Sequence, residues 1–402
     1  LTDFVAYRNK QLKDADEVTT RKDLSMVDGK QNTANCYIVS APGKYKFPLF
    51  YGSSRVNDAD ATESFWNNNT RNDGMVLKHF KGGVDQGGNY DIPYPDIHQW
   101  VDVASVLWES KPGLIKVTRI DRAGKSFGAV GGRNVYVEFE VAKDNIETGN
   151  AIIAVWKNNK VAWSWHIWIT GKDVVGVKSG EFLREPLGFV PSKWKRTTYS
   201  DDRKIRLTFK QTRTGKEVKV TFTQKPYFEQ AQGQAMFYQW GRKDAFPGLS
   251  GNVAGVNRTP GDQIYMQNII QNPGNFYITR LNARKAIDGG SYLTQYYNFY
   301  NLWSINNTKT GGQDNGNDDP VIKTIYDPSP VGFTVPGGNA FTGFTETGMN
   351  RAKMNVDGTG VKSVFDANMG HHYWTNSNKE ETIFFPATGY MDSGIGALGQ
   401  YK

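Results

Sequence analysis

The sequence predicts a mainly β protein whose N-terminal part is an antiparallel β-sandwich. Three observations carry this expectation. Aromatic and β-branched residues recur in short alternating runs, within a composition that is 13% aromatic and includes 11 Trp. Turns built on Gly and Asn separate the runs, and the chain holds 43 Gly. Amphipathic stretches of the length a helical bundle needs are missing. At 402 residues the chain has room for two or three domains.

Residues 1–30 are polar and charged around "KDADEVTTRKD", which reads as a linker or the tail of a preceding domain. The sandwich is expected over 31–172. Cys36–Ser40 forms a strand, Pro42-Gly43 a turn, and Tyr45–Tyr51 a second strand. Residues 52–95 are rich in Asn, Gly and Asp and read as a long irregular insertion. Strands resume at His98–Trp108 and Leu114–Arg119. In "NVYVEFEVA", Val135, Val137, Phe139 and Val141 share one face. "NAIIAVWKNNKVAWSWHIWIT" is a hairpin: Ala151–Trp156, a turn through Lys157 to Lys160, then Val161–Thr170. In its second strand Trp163, Trp165, Ile167 and Ile169 form the apolar face expected to line the core.

A new unit is expected from about Gly171, with a domain boundary between Thr170 and Glu181. Its clearest element is the hairpin Ile205–Gln211 and Glu217–Gln224 around Thr214-Gly215. A short helix is expected at Gln263–Gln271. The remainder is rich in Gly, Asn and aromatics, without a fixed repeat.

The formal net charge is +8, yet basic and acidic residues interleave along most of the chain. The densest basic stretch, Lys193–Arg196 with Arg203, Lys204 and Arg206, runs into alternating strand sequence. It reads as a solvated strand face rather than a nucleic-acid site. The one cysteine, Cys36, excludes an internal disulfide framework and a Cys-based zinc site. No apolar run is long enough for a membrane-spanning helix. The chain opens at Leu1 without a signal peptide, which reads as a processed or trimmed protein.

Near the end stands Gly394-Ile395-Gly396-Ala397-Leu398-Gly399, a literal G-x-G-x-x-G. A dinucleotide site needs a helix after the glycines and an acidic residue about 20 positions on. Only Gln400, Tyr401 and Lys402 follow, so no cofactor is expected. The phosphate-binding, nucleophile-elbow and H-E-x-x-H patterns are absent. His166 lies in the aromatic run "WSWHIW" and reads as a packed strand residue; His79 and His98 carry no pattern. His371 and His372 are adjacent, and adjacent strand positions face opposite ways. Paired carboxylates for glycoside chemistry stay open, because acidic residues are common and their pairing is not visible.

The most suggestive stretch is "QDNGNDD". Asp314, Asn315, Asn317, Asp318 and Asp319 offer oxygen ligands that suit sugar hydroxyls or Ca²⁺, although the spacing is not that of an EF-hand. The other reading is a solvated turn.

Five phrases, in order, resemble fimbrillin-like, pilus-associated surface adhesins of Bacteroides-type bacteria. They are "TANCYIVSAPGKYKFPLFYG", "GNAIIAVWKNNKVAWSWHIWIT", "FYQWGRKDAFPG", "YDPSPVGFTVPGGNAFTGF" and "IFFPATGYMDSG". From Tyr238-Gln239-Trp240, Pro330–Pro336 and Phe385–Tyr390, the second half resembles the family's major paralogous domain. That resemblance implies a C-type-lectin-like α+β domain over 173–402, with the hairpin at about 203–225 inserted. The family's opening phrase is poorly matched by Leu183–Gly188, and its closing strand pair is not present before Lys402. Either trimming or completion by a donor strand would account for that. The resemblance implies a non-enzymatic adhesin at the cell surface or on a fimbrium attached to the outer membrane. Its partners would be glycans, host or bacterial surface proteins and other pilus subunits, with Asp314, Asn315, Asn317, Asp318 and Asp319 as ligand-binding residues. The rival expectation is a glycan-capturing or glycan-processing surface protein of a nutrient-uptake system.

Overall fold

The structure is a computed structural model. It describes residues 4–65, 95–97, 101–122, 135–174, 182–191, 203–224, 233–238, 242–247, 257–260, 266–278, 303–304, 321–336, 370–374, 382–386, 388, 390–391 and 398–399. The described part is mainly β, with several sheets and two α-helices, α1 (Phe4–Asp14) and α2 (Met266–Gln271).

Eight strands build two four-stranded sheets. In chain order they are β1 (Val18–Asp23), β2 (Cys36–Val39), β3 (Gly43–Pro48), β4 (Val103–Glu109), β5 (Lys116–Asp121), β6 (Tyr136–Val141), β7 (Gly149–Lys157) and β8 (Lys160–Ile169). The first sheet runs β1-β3-β6-β5 and the second β2-β8-β7-β4. The turn after β2 therefore carries the chain from one sheet to the other. β7 and β8 pair with Ile153 opposite Trp165. Asn158 and Asn159 close them with φ of 49° and 61°. Two left-handed residues are what a tight hairpin turn needs, and Asn tolerates that conformation well.

The expected antiparallel arrangement is corrected at one edge of each sheet. β1 pairs with β3 in parallel, and β2 pairs with β8 in parallel. Alternation of apolar residues specifies a strand's face and not the direction of its neighbour, so the sequence pattern is the same either way.

Inward residues of both sheets enter one apolar cluster. Tyr45, Phe47, Val137 and Phe139 come from the first, and Ile153, Trp163, Trp165 and Ile167 from the second. The Phe47 and Trp165 rings lie 5.0 Å apart and tie the sheets together. Val135, Val137, Phe139 and Val141 are all buried, as their alternation predicts. On β8, by contrast, both faces are buried: Ser164, His166 and Trp168 are as enclosed as the Trp163 face. Trp168 packs with Val174 and Phe189, while Ile152 of β7 packs with Met236 and Ala245. Segments from beyond residue 172 thus cover the outer side of the second sheet.

Two expectations about boundaries change accordingly. Residues 1–30 are not a linker where described, because Leu12 of α1 lies in the shared core and β1 is a sheet strand. Arg8 forms a buried ion pair with Glu185 at 2.7 Å. The expected break near residue 172 also fails to separate the packing, since Ile270, Ile325 and Tyr326 belong to the same core cluster as β3 and β8. Gly52 shows how close the approach is. Its φ is +41°, and a Cβ there would meet the Ile325 carbonyl oxygen at 2.3 Å. The stretch read as an irregular insertion begins in order, with Arg55–Val56 and Ala59–Asp60 paired and Phe65 in the core.

The later hairpin forms as expected, with β9 (Arg203–Lys210) antiparallel to β10 (Glu217–Gln224). Among the described residues the other sheets are two-stranded. Gly370–Trp374 pairs with Thr382–Pro386, placing His371 and His372 at consecutive positions opposite Phe385 and Phe384. Leu398-Gly399, the last two positions of the G-x-G-x-x-G stretch, pair with Tyr390-Met391 as strand. A dinucleotide loop would put a helix start there.

Candidate functional site

Asp314, Asn315, Asn317, Asp318 and Asp319 all lie outside the described residues. The segments that lead into and out of that stretch are described. The Ile322 amide donates to Ser304 Oγ at 3.1 Å, and the Thr324 amide donates to the Trp303 carbonyl at 3.1 Å. Ser304 and Lys323 are paired antiparallel. The chain therefore leaves at residue 304 and returns at residue 322 to the same spot.

That spot is firmly held. Ile325 and Tyr326 are buried in the core, and Trp303 and Ile322 pack against it. The Asn35 side-chain amide donates to the carbonyls of Ile325 at 2.5 Å and Asp327 at 2.8 Å, while its oxygen accepts from Trp163 Nε1. Ser53 Oγ donates to the Thr324 carbonyl. Pro330 pairs in parallel with Cys36, extending the edge of β2.

Asp327 organises the exit. Its Oδ1 accepts from the Ser329 amide at 2.7 Å and from Lys323 Nζ at 2.9 Å, and its Oδ2 accepts from the Val335 amide. Lys323 also donates to the Ser329 and Phe333 carbonyls. Asp and two prolines in "YDPSP" suit this: Asp accepts from backbone amides ahead of it, and the prolines fix φ.

A buried polar cluster lies beneath the same base. The Arg242 carbonyl accepts from Trp303 Nε1 at 3.1 Å. Lys243 Nζ donates to Ser164 Oγ at 2.6 Å, the Ser164 carbonyl at 3.1 Å and Asp244 Oδ1 at 2.5 Å. Ser164 Oγ itself donates to Asp244 Oδ1 at 2.8 Å. Burial pushes the Lys243 ammonium pKa down, with the Asp244 carboxylate opposing. A serine hydroxyl beside a depressed lysine is a pairing used by nucleophilic enzymes. Here both groups are almost completely enclosed, at 2% and 3% exposure, and the ammonium is satisfied on three sides. The cluster can lock residues 242–246 onto β8 and is closed off from solvent.

His166 belongs to the same layer. Its Nε2 lies 2.8 Å from Asn150 Oδ1, and its Nδ1 lies 3.3 Å from the Tyr238 hydroxyl. The Asn150 amide nitrogen donates to the Gly188 carbonyl, so its oxygen takes the Nε2 proton and Nδ1 accepts. This is the neutral ring, and burial lowers its pKa to about 3. The packed-strand reading holds for this residue. Cys36 is likewise enclosed, and burial drives its thiol pKa well up, which makes it unreactive.

One further concavity, a cleft of about 620 Å³, opens beside α1 and is lined by Tyr7, Gln11, Ser40, Lys172 and Asp173 among others. Among the described residues no group of three or more His, Cys, Asp or Glu side chains could hold a metal ion. Among them too, no helix is long and apolar enough to cross a membrane. Sequence reasoning missed this base. Its contacts join residues 35, 164, 242 and 325, and no local pattern connects them.

The chain matches no protein-family model, no curated protein and no solved structure.

Proposed function

We propose that the protein is a non-enzymatic extracellular adhesin of the fimbrium-associated type, attached at the outer membrane surface. In this reading the two sheets form a sandwich, and a lectin-like second half is mounted on it. The segment from Asp314 to Asp319 meets the ligand, a glycan or a surface protein of a host or another bacterium. One observation carries the proposal: both ends of the 305–321 stretch are pinned at one point on a rigid, buried base. Binding stretches are typically presented in this way, as variable segments on a scaffold that does not move. Asp and Asn oxygens then supply directional hydrogen bonds to hydroxyls, or ligands to Ca²⁺.

The test combines calorimetry with a glycan array, using Asp318→Ala/Asp319→Ala as the altered protein. Calcium heats and array binding are expected for the native chain and should be lost in the double variant. Absent heats would remove the calcium role. Array or cell adhesion that is unchanged in the double variant would remove the segment as the ligand site.

A further inference from the structure

The hairpin β9–β10 is amphipathic in an unusual way. Its register places Ile205 opposite Phe222, Leu207 opposite Val220, and Phe209 opposite Val218. Directly paired residues share a face, so these six apolar side chains lie together. All six are exposed, from 37% at Val220 to 61% at Val218. Side chains of these sizes at such exposures add up to several hundred Å², the range that marks an interaction site. The alternate positions of β9 and β10 carry Lys204, Arg206, Lys210 and Lys219 on the other face, and Arg213 and Lys216 sit in the turn.

Charge narrows the choice of occupant. Residues 203–224 contain seven Lys or Arg and one Glu, a net +6, within a chain whose net charge is +8. A second copy would bring another +6 hairpin alongside, and nothing on the apolar face would offset it. Nucleic-acid platforms interleave aromatic and basic side chains on one face, whereas Phe209 and Phe222 share theirs with Ile, Leu and Val, and its one cation, Arg203, stands with Gln224 at the open end of the hairpin. An anionic lipid surface supplies both complements at the right depth. The two faces of a strand pair are separated by about 10 Å, close to the distance from the acyl boundary to the phosphate layer.

We infer that β9–β10 is a membrane-surface anchor that lays its apolar face into the interface of an anionic phospholipid bilayer and its basic face among the headgroups. Strands of eight residues make it about 27 Å long, so it lies on the surface as a plate. It acts independently of the Asp314–Asp319 segment.

The experiment is co-sedimentation of the full chain with two kinds of vesicle. One is phosphatidylcholine alone, and the other is equimolar phosphatidylcholine and phosphatidylserine. Binding is expected only to the anionic vesicles and should weaken as salt is raised. Arg206→Gln/Lys219→Gln should weaken it roughly thirty-fold, at the usual contribution per basic residue near such a surface. Phe209→Ser/Phe222→Ser should abolish it and leave the melting temperature unchanged. Equal binding to both vesicles, or to neither, would overturn the inference. So would a drop in melting temperature for the Phe variant, which would mean the chain itself covers the face. A concentration-dependent dimer lost in the same variant would assign the face to a second copy, and tight binding of a single-stranded oligonucleotide would assign it to nucleic acid.

Discussion

Acid should unlock the second sheet through His166. The folded protein holds this imidazole neutral, with a pKa of about 3 against an ordinary 6.5. Its surroundings explain why. The residue is 1% exposed, Nδ1 is used as an acceptor for the Tyr238 hydroxyl, and its hydrogen-bond partners among the described residues are the neutral groups of Asn150 and Tyr238. The unfolded chain takes up a proton below pH 6.5 and the folded chain does not, so stability falls as pH drops from there toward 3. Above 6.5 the group contributes nothing to the pH dependence. Each pH unit below it costs about 1.4 kcal/mol, so the loss is about 2 kcal/mol at pH 5 and about 3 kcal/mol at pH 4. Carboxylates titrate in the same range, and a comparison with His166→Gln removes their share. The assay is urea unfolding of both proteins between pH 7 and pH 4. The native protein's stability relative to the variant should fall by about 2 kcal/mol from pH 7 to pH 5. A difference that stays constant over that range would refute the reasoning, because it would mean that folded and unfolded His166 titrate alike.

Two further outcomes follow from the packing. Trp165→Ala removes a 1%-exposed indole that meets Phe47 between the sheets, and should cost about 3–5 kcal/mol by denaturant unfolding; an unchanged melting temperature would remove Trp165 from the core. Arg8→Ala or Glu185→Ala strands one buried charge and should cost about 3–5 kcal/mol, while Arg8→Met/Glu185→Leu should recover much of that loss. Equal stability of both single variants and the native chain would return α1 to the status of a loose tail.

Where the chain announced its structure, it did so locally. The Val135–Val141 alternation, the Asn158-Asn159 turn and the Thr214-Gly215 turn each specify an element within a dozen residues, and the structure has those elements. α1 was illegible because one of its buried positions is Arg8, whose partner Glu185 stands 177 residues away. A helix whose inner face carries a charge looks solvated until that partner is known. For β8 the two-faced burial was half visible. Trp163 and Trp165 declared one face and His166 read as packed, but Ser164 looks like a water-facing position unless Lys243 and Asp244 are placed over it. The candidate site is different. Asp314, Asn315, Asn317, Asp318 and Asp319 lie outside the described residues, and the base that holds residues 304 and 322 was not legible because it depends on Asn35, Ser53 and Asp327 meeting across most of the chain.

The Asn35 clamp also sets an order of events during synthesis. The carbonyls it holds lie 290 and 292 residues downstream, so the first sheet pair cannot close its last side until residue 327 has been made. Through that interval the edge of β2 is bare, because the Pro330 segment that pairs with Cys36 has yet to be made. Contacts this distant in sequence make folding slow and leave strand edges available for wrong pairing. A chain stalled before residue 322 would therefore be a prime substrate for holding chaperones, and the arrival of residues 322–330, rather than the collapse of the first hundred and seventy, would be the step that closes this edge.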